Sequence, residues 1–324
     1  MATITYREAL NQALREEMQR DPDVFLMGED IGVFEGAYKV TAGLLAEFGE
    51  KRVRDTPIAE LAIVGLAVGS AMLGLRPVVE LMTVNFSLLA ADQIVNHAAK
   101  IHYMFGGRAK VPLVIRMPGG GGFQLGAQHS QTFDSWFAYV PGLKVVSPAV
   151  PADAKGMLKA AIRSDDPIVF LESEALYNTR GEVPEGEYLV PLNRAEIKRA
   201  GRDLTLIANS RMTLVALEAA VRLEGEGVDA EVVDLRSLRP LDVDTLVQSL
   251  RKTSRAVTVE EGWRTFGVGA EVAASLSELA FDYLDAPVHR VGGVEVPMPY
   301  AKNLEKEAIP DADDVVTEVR KLLG

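Results

Sequence analysis

The sequence predicts an α/β protein with two domains, each built on a mainly parallel sheet. Short apolar runs at 113–117, 168–172 and 204–208 alternate with segments whose apolar residues recur at helical spacing. Such runs are typical of parallel strands that are covered on both faces. A chain of 324 residues is also long enough for two domains of ordinary size.

The first half of the chain alternates helix and strand. Thr5 and Glu8 form a Thr-x-x-Glu capping box, which predicts that a helix begins directly after Thr5. Strands are predicted at 24–27, 52–54, 77–83, 113–117, 144–147 and 168–172, and further helices at 41–48, 57–75, 87–104 and 152–162.

The predicted helix at 57–75 is almost wholly apolar. Thr56 is expected to cap it, with Pro57 at its first position. Residues 61–75 include no charged side chain, so we expect burial on every side, and the glycines among them indicate close packing against another backbone at a subunit interface. Glu60 lies one residue beyond the capping-box position. The segment alone leaves open whether Glu60 is a first-turn acid favoured by the helix dipole or a functional carboxylate.

A second domain follows a boundary region. Residues 173–202 are rich in Gly, Pro and charged residues, so we predict domains at 1–185 and 203–324, joined by a linker at 186–202. Strands predicted at 204–208, 230–235 and 256–260 alternate with helices at 214–224, 245–250 and 267–280. This βαβαβ order predicts a second, smaller parallel sheet.

Composition narrows the classes of function. A formal net charge of -12 argues against a nucleic-acid partner, because phosphate binding requires basic patches. The absence of cysteine excludes disulfides and thiol nucleophiles, and it fits a reducing compartment. The chain starts without an apolar signal core, and the apolar helix is shorter than the ~20 residues that a membrane span needs. We therefore expect a cytoplasmic location and no membrane partner.

Spacing alone singles out few side chains for chemistry. The glycines at 119–122 are not followed by Lys-Ser or Lys-Thr, so a nucleotide-binding loop is not indicated. His97 and His102 lie off the four-residue spacing that binds zinc, and His289 is assigned a structural role. His129 lies in a glycine-rich loop after a strand end, where functional and structural roles both stay open.

Several segments together resemble one family over nearly the whole chain. They are GEDIGVFEGAYKVTAGL, DTPIAELAIVGLAVGSAMLGLRPVVE, NFSLLAADQIVNHAAK, AAIRSDDPIVFLE and VVDLRSLRPLD. In these segments the chain resembles the beta chain of the thiamine-diphosphate-dependent decarboxylase component of 2-oxo acid dehydrogenase complexes. The resemblance implies a pyrimidine-binding domain and a smaller transketolase C-terminal-like domain, in an assembly of two alpha and two beta chains.

The resemblance also implies roles for single residues. Glu60 matches the carboxylate that hydrogen-bonds the aminopyrimidine ring of thiamine diphosphate and so promotes loss of the proton from the thiazolium carbon. Glu29 matches a second acid, on an acidic route that connects two active sites. Phe86 matches the aromatic residue that stacks on the pyrimidine, and Ile58 and Met82 match residues that line the same pocket.

Two further sites follow from the same resemblance. His129 matches a histidine that contacts substrate and serves acyl transfer to lipoamide. The backbone carbonyls of Leu113, Ala161, Ser164 and Asp166 fall where related proteins hold a structural monovalent cation such as potassium.

The sequence contains no Gly-Asp-Gly motif, through which thiamine enzymes hold the diphosphate by way of a divalent metal such as magnesium. We therefore expect the alpha chain to supply that half and the cofactor to bind between chains. This favours a half-enzyme over two alternatives, a self-sufficient transketolase-like enzyme and a non-catalytic scaffold subunit.

The implied reaction is decarboxylation of a 2-oxo acid and reductive acylation of the lipoyl group of a dihydrolipoyl acyltransferase core. Overall similarity favours branched-chain 2-oxo acids, with pyruvate second, and acetoin-type enzymes share most of the motifs. The C-terminal domain is expected to pair beta chains and to dock the acyltransferase core through acids at Glu278, Asp282, Asp285 and 305–314.

Overall fold

The computed structural model describes residues 1–324, which divide into two compact units. The first unit comprises residues 1–119 and 136–192, and the second comprises residues 120–135 and 193–324. The segment 120–135 lies inside the range predicted for the first domain, yet it packs with the second unit. No helix is both long enough and apolar enough to span a membrane.

The first unit contains the larger sheet. The strands of this unit are β1 (Ala2–Thr5), β2 (Val24–Gly28), β3 (Val53–Asp55), β4 (Arg76–Glu80), β5 (Val114–Gly119), β6 (Lys144–Val146), β7 (Ile168–Ser173) and β8 (Arg180–Val183). Six of them pair in parallel in the order β6-β7-β5-β4-β2-β3, whereas β1 and β8 form an antiparallel pair. The apolar runs that predicted parallel strands are buried throughout β5 and β7, which confirms that part of the prediction.

Helices cover this sheet. Those of the first part of the chain are α1 (Tyr6–Arg20), α2 (Leu44–Phe48), α3 (Glu60–Met72), α4 (Ile101–Met104), α5 (Asp134–Ala138) and α6 (Pro151–Arg163). The capping box of α1 is confirmed, because Glu8 N–H donates to Thr5 Oγ1 at 3.3 Å and Thr5 N–H donates to Glu8 Oε2 at 2.7 Å. The first helix packs against α6.

The start of α3 was predicted wrongly. The helix begins at Glu60 with Ala59 at its N-cap, and Thr56 provides no cap. Thr56 is held beside the sheet instead, because its N–H donates to the Gly28 carbonyl at the end of β2 at 3.0 Å, and the helix begins only four residues later.

The expected burial of α3 on every side is also not met within the chain. Leu61 and Leu66 are 51% and 62% exposed, whereas Ile63, Val64 and Ala67 form a buried face. The apolar character of the helix therefore exceeds what this chain buries. Sequence hydrophobicity cannot tell burial within one chain from burial against another, since both remove the same side chains from water.

The segment predicted as one helix at 87–104 is three short helical pieces. A 3₁₀ turn spans Val84–Ala90, a π-helical turn spans Gln93–Ala98, and α4 follows. Apolar periodicity over so few residues does not distinguish between these helix types. The first two pieces pack against α3.

The second unit has its own sheet. The strands are β9 (Glu196–Arg199), β10 (Leu204–Ala208), β11 (Ala230–Asp234), β12 (Ser237–Arg239), β13 (Ala256–Trp263) and β14 (His289–Gly293), and the helices are α7 (Arg211–Glu224), α8 (Val243–Thr253), α9 (Val268–Leu279), α10 (Lys302–Ala308) and α11 (Ala312–Leu323). Five strands pair in the order β14-β13-β10-β11-β9, with only β9 antiparallel. The predicted parallel sheet is confirmed. The range predicted as a linker contains β9, which lacked a strand signal because it is polar and lies at the sheet edge.

Candidate active site

The carboxyl ends of the parallel strands in the first unit carry several residues that the resemblance singles out. Glu29 directly follows β2, Glu60 opens α3 after β3, and Phe86 lies in the 3₁₀ turn after β4. Ligands of open α/β sheets bind at this edge, because the loops that follow parallel strands meet there. The structure therefore brings these three residues to one edge of one sheet.

Glu60 is a buried carboxylate with no hydrogen-bond partner in the chain. Glu60 is 3% exposed, and its side chain makes no hydrogen bond within the chain. As the first residue of α3, Glu60 also lies where the helix dipole stabilises negative charge. The carboxylate oxygens of Glu60 are therefore available to an external donor.

Glu29 lies close enough to Glu60 for the two charges to interact. Glu29 is 5% exposed, and its Oε1 is buried without a partner. Burial raises the pKa of the Glu29 carboxyl, and the negative charges of Glu60 and Asp30 raise it further. A buried acid with raised proton affinity beside a second acid is typical of a functional site.

The loop after β2 is held by Asp55 at the end of β3. The Gly32 and Val33 N–H groups donate to the two Asp55 carboxylate oxygens at 2.6 and 3.0 Å. A Cβ atom at Gly32 would lie 2.8 Å from Asp55 Oδ2, so only glycine allows so close an approach. These contacts fix the loop that begins with Glu29.

The three residues predicted to line the pyrimidine pocket differ in how far this chain covers them. Ile58 is 82% exposed, whereas Met82 and Phe86 are half-buried. The 3₁₀ turn that contains Phe86 packs against α3, the helix that Glu60 opens. Apolar side chains that one chain leaves partly uncovered are available to a bound ring or to another chain.

A buried ionic network, which the sequence analysis missed, joins three strands of this sheet. Arg116 of β5 is 1% exposed and donates to Glu172 of β7 through Nε at 2.7 Å and Nη2 at 2.8 Å, and also to Glu80 of β4. Tyr177 Oη donates to Glu172 Oε2 at 2.7 Å, and the Tyr177 ring stacks on Tyr38 with 4.9 Å between centroids. Because Tyr38 belongs to the loop after β2, the network links the strands to that loop.

A signal for this network was present in the sequence. Glu80, Arg116 and Glu172 each directly follow a run of apolar residues in their strand, and the register places Glu80 beside Arg116. Burial raises the pKa of Glu80, while the Arg116 charge opposes that rise. Opposite charges in adjacent apolar strands could have been paired before the structure was known.

His129 lies in the second unit, whereas Glu29 and Glu60 lie in the first. It is exposed, and its N–H donates to the Gly126 carbonyl at 3.3 Å in a turn of the glycine-rich loop. The other three histidines have local partners: His97 lies 3.4 Å from Asp92, His102 Nδ1 lies 2.9 Å from the Ala109 carbonyl oxygen, and His289 lies 2.9 Å from Glu318. No group of three or more His, Asp or Glu side chains is arranged to hold a metal ion.

The carbonyl positions expected at a monovalent cation already make some protein contacts. The Leu113 and Ala161 carbonyls accept backbone hydrogen bonds of 2.8 and 3.1 Å, and the Ser164 carbonyl accepts one from Arg76 at 3.1 Å. Asp166 pairs through its carboxylate with a lysine of β6 at 2.7 Å. A carbonyl oxygen has two lone pairs, so each of these oxygens could still bind a cation while it accepts its hydrogen bond. The cation site stays a prediction.

Comparison with known proteins decides the family. Residues 2–180 match the family described as Transketolase, pyrimidine binding domain, and residues 193–315 match Transketolase, C-terminal domain. The chain is 52% identical over 322 residues to the mitochondrial pyruvate dehydrogenase E1 component subunit beta-2 of Oryza sativa subsp. japonica. The aligned part covers 98% of this chain and 86% of that protein. It is 51% identical over 319 residues to the corresponding subunit beta of Rickettsia felis, with 98% of each chain covered.

The chain belongs to the E1 beta family of 2-oxo acid dehydrogenases. A solved structure described as a split-gene transketolase, in an inactive beta4 tetramer, has a TM-score of 0.82 and 29% identity over 98% of this chain and 97% of that one. The resemblance stated from the sequence and the predicted fold class are thus both confirmed.

The E1 beta family depends on thiamine diphosphate, and the residues of the first unit fit the pyrimidine part of this cofactor. Glu60 offers a buried carboxylate without a partner, and Glu29 Oε1 and Thr56 Oγ1 are buried polar atoms that no group of the chain satisfies. Buried polar atoms are nearly always hydrogen-bonded in complete structures. A polar ring bound at this edge would supply partners.

Proposed function

We propose that this chain acts with an alpha chain to decarboxylate pyruvate on thiamine diphosphate and to acylate the lipoyl group of a dihydrolipoyl acyltransferase core. The observation that carries the proposal is Glu60, a carboxylate 3% exposed at the carboxyl edge of the sheet with no partner in the chain. When bound, thiamine diphosphate supplies the carbon nucleophile for the keto carbon of the substrate.

Glu60 is assigned the hydrogen bond to the aminopyrimidine ring. Ile63 and Val64, which follow in α3, are buried apolar residues, so water competes little for this bond. By holding a proton at the ring nitrogen, Glu60 would make the ring amino group more acidic, and the nitrogen that has lost a proton could then act as a base. Glu29, whose raised pKa favours the protonated form, is assigned the exchange of a proton with this site.

Phe86 is assigned the stacking contact with the pyrimidine ring, and Met82 and Ile58 are assigned its apolar walls. Aromatic rings contribute about 0.5–1.5 kcal/mol per stacked pair beyond the area that they bury. The exposure of Ile58 suits a wall that is completed only when cofactor and alpha chain are bound.

His129 is assigned acyl transfer to the lipoyl group. Its exposed position in the glycine-rich loop suits a residue that must meet a group carried by another protein. Transfer of the acyl group to a sulfur of lipoamide requires a group that donates or accepts a proton. An imidazole can do so near neutral pH.

The alpha chain is proposed to hold the diphosphate through a divalent metal such as magnesium. Two observations support this division: the sequence lacks Gly-Asp-Gly, and the chain has no cluster of metal-binding side chains. We further propose an assembly of two alpha and two beta chains, with the acyltransferase core as its partner. The potassium site at the carbonyls of Leu113, Ala161, Ser164 and Asp166 belongs to the same proposal.

The names of the relatives bear on the choice of substrate. The relatives at about 50% identity are named as pyruvate dehydrogenase components, which favours pyruvate for this chain. In the sequence analysis, overall similarity favoured branched-chain 2-oxo acids instead. Steady-state rates of the reconstituted complex on pyruvate and on 4-methyl-2-oxopentanoate would decide between them, and a higher kcat/KM on the branched substrate would overturn the choice of pyruvate.

The same reconstitution separates the half-enzyme from its alternatives. A self-sufficient transketolase-like enzyme would decarboxylate as a purified single chain, and a scaffold subunit would remain inactive with an alpha chain that binds it. We expect activity only when both chains are present.

A further inference from the structure

The glycine-rich loop at 119–131 directs its backbone N–H groups at two carboxylates of the second unit. The Gly121 N–H donates to Glu261 Oε1 at 2.7 Å. The Gly122 and Gln124 N–H groups both donate to Glu305 Oε1, at 2.9 and 3.0 Å, and Gln124 N lies 3.1 Å from Oε2. Three amides of one loop are thus bound by acids that follow more than a hundred residues later in the chain.

Neither acid is an ordinary surface charge. Glu305 of α10 is 3% exposed, although the sequence analysis placed it among the acids that dock the acyltransferase. Glu261 Oε2 lies 3.6 Å from Arg211 Nε, and Arg211 Nη1 donates to the Gly121 carbonyl at 2.7 Å. Because its carboxylate is engaged with the loop, Glu305 is not available to a docking surface.

The glycines are required for this close approach. Gly120 and Gly122 have φ of +93° and +114°, which other residues rarely adopt. A Cβ atom at Gly120 would lie 2.7 Å from Glu261 Oε1, and one at Gly121 would lie 2.8 Å from Ile309 Cδ1. Successive N–H groups of this kind form an anion-binding concavity. Here the protein fills the concavity with its own carboxylates, which explains a glycine run that has no nucleotide-binding motif.

These contacts hold both ends of the segment that carries His129. The Gly120 N–H donates to the Gln131 carbonyl at 3.1 Å and closes the loop. Beyond that closure, Asp134 Oδ2 accepts a hydrogen bond from Asn209 Nδ2 at 2.9 Å. The backbone position of His129 therefore depends on the acids that anchor the loop.

We propose that Glu305 and Glu261 are positioning residues for His129, which fix the loop so that the imidazole meets the lipoyl group. The proposal rests on the acyl-transfer role proposed above for His129. Hydrogen bonds to a carboxylate are about twice as strong as neutral ones, and a buried N–H without an acceptor is costly. Glutamine at position 305 keeps one acceptor oxygen but loses the charge, so Glu305→Gln should weaken these hydrogen bonds and loosen the loop.

The test uses Glu305→Gln in the complex with the alpha chain, with Glu307→Gln as matched control because Glu307 is exposed on the same helix. Hydrogen exchange of peptides spanning 119–131 should become roughly tenfold faster or more in the Glu305 variant. The control should exchange like wild type. Glu305→Asp retains the charge and should restore part of the protection of the loop from hydrogen exchange. This variant shows whether loss of folding explains the faster exchange in Glu305→Gln.

Kinetics test the link to His129. Glu305→Gln should lower the rate of lipoyl acylation about tenfold while decarboxylation with an artificial electron acceptor stays near wild type. His129→Ala combined with Glu305→Gln should lose no more acylation than His129→Ala alone, because both changes remove one function.

Each negative outcome has a separate meaning. Unchanged hydrogen exchange in Glu305→Gln would overturn the anchoring of the loop. Multiplied losses in the double variant would overturn the positioning of His129. Equal losses in both assays for His129→Ala would overturn the acyl-transfer role and its dependence on Glu305, whereas faster exchange in Glu305→Gln would still establish the anchor itself.

Discussion

Glu260→Gln is expected to raise the melting temperature of the chain at pH 8 and to leave it almost unchanged at pH 5. Glu260 of β13 is 6% exposed, and its Oε1 accepts the Gly269 N–H at 3.2 Å. Burial raises the pKa of this carboxyl from 4.5 to about 8, because the ionised form loses its water shell. The nearby charge of Asp134 adds to the rise, and that of Arg290 opposes it.

The sign follows from the proton balance between folded and unfolded chains. Between pH 4.5 and about 8 the unfolded chain releases the Glu260 proton while the folded chain retains it. Stability that is fully present below pH 4.5 is therefore lost as the pH rises through this window. At about 1.4 kcal/mol per pH unit, the loss in free energy of unfolding reaches roughly 5 kcal/mol by pH 8. Glutamine does not ionise and escapes this loss, and its Oε1 can still accept the Gly269 N–H.

Calorimetric melting of wild type and Glu260→Gln from pH 5 to pH 9 checks this prediction. For a domain of this size the melting temperature changes by about 2–4 °C per kcal/mol of stability. The melting temperatures of wild type and Glu260→Gln should therefore differ by roughly 10 °C at pH 8. Glu271→Gln is the matched control, because Glu271 is an exposed acid of the adjacent helix α9. If all three proteins show parallel melting profiles across the pH range, the reasoning from burial is refuted.

Four other changes test the remaining assignments. Glu60→Gln should slow decarboxylation by roughly a thousandfold or more with an unchanged circular dichroism spectrum, since glutamine cannot exchange a proton; near-normal turnover in the folded variant would remove Glu60 from its role. Without an alpha chain, this chain should show no tight binding of thiamine diphosphate in calorimetry, and micromolar metal-dependent binding would contradict the division of the site. His129→Ala should depress lipoyl acylation more than dye-linked decarboxylation, and equal losses would assign it to substrate binding. Arg116→Met should lower the free energy of unfolding in urea by about 3–5 kcal/mol, because Glu80 and Glu172 remain buried without their cation; a loss below about 1 kcal/mol would show that water reaches them.

The regular part of the fold could be predicted because it follows from local chemistry. The capping box of Thr5 and Glu8 and the apolar run of β10 each determine an element through their own residues. The start of α3 could not be predicted correctly, because the Thr56 N–H donates to the Gly28 carbonyl at 3.0 Å. Gly28 belongs to β2, so this contact cannot be read from the residues around Thr56. Non-local contacts override local propensity in such places.

The site was predicted only as far as single residues can be recognised. Glu29 and Glu60 were singled out by resemblance, and the structure adds that the negative charge of Glu60 raises the pKa of Glu29. The anchoring of the loop by Glu305 was not predicted, because acceptor and donors are separated by 183 residues between Gly122 and Glu305. No periodicity or spacing rule reaches across that distance.

The position of residues 120–135 in the second unit has a consequence for how the chain folds during synthesis. This segment is made before almost all of the unit to which it belongs, and Gly122 precedes its acceptor by 183 residues. At about 5–20 residues per second, a ribosome takes roughly 10–40 s to supply that acceptor. Throughout this interval β5 is already synthesised, but the loop that follows it lacks the carboxylate of Glu305. A gene split at residues 186–202 would leave the loop on the first product and its acids on the second, so the anchor would form only after the two products associate.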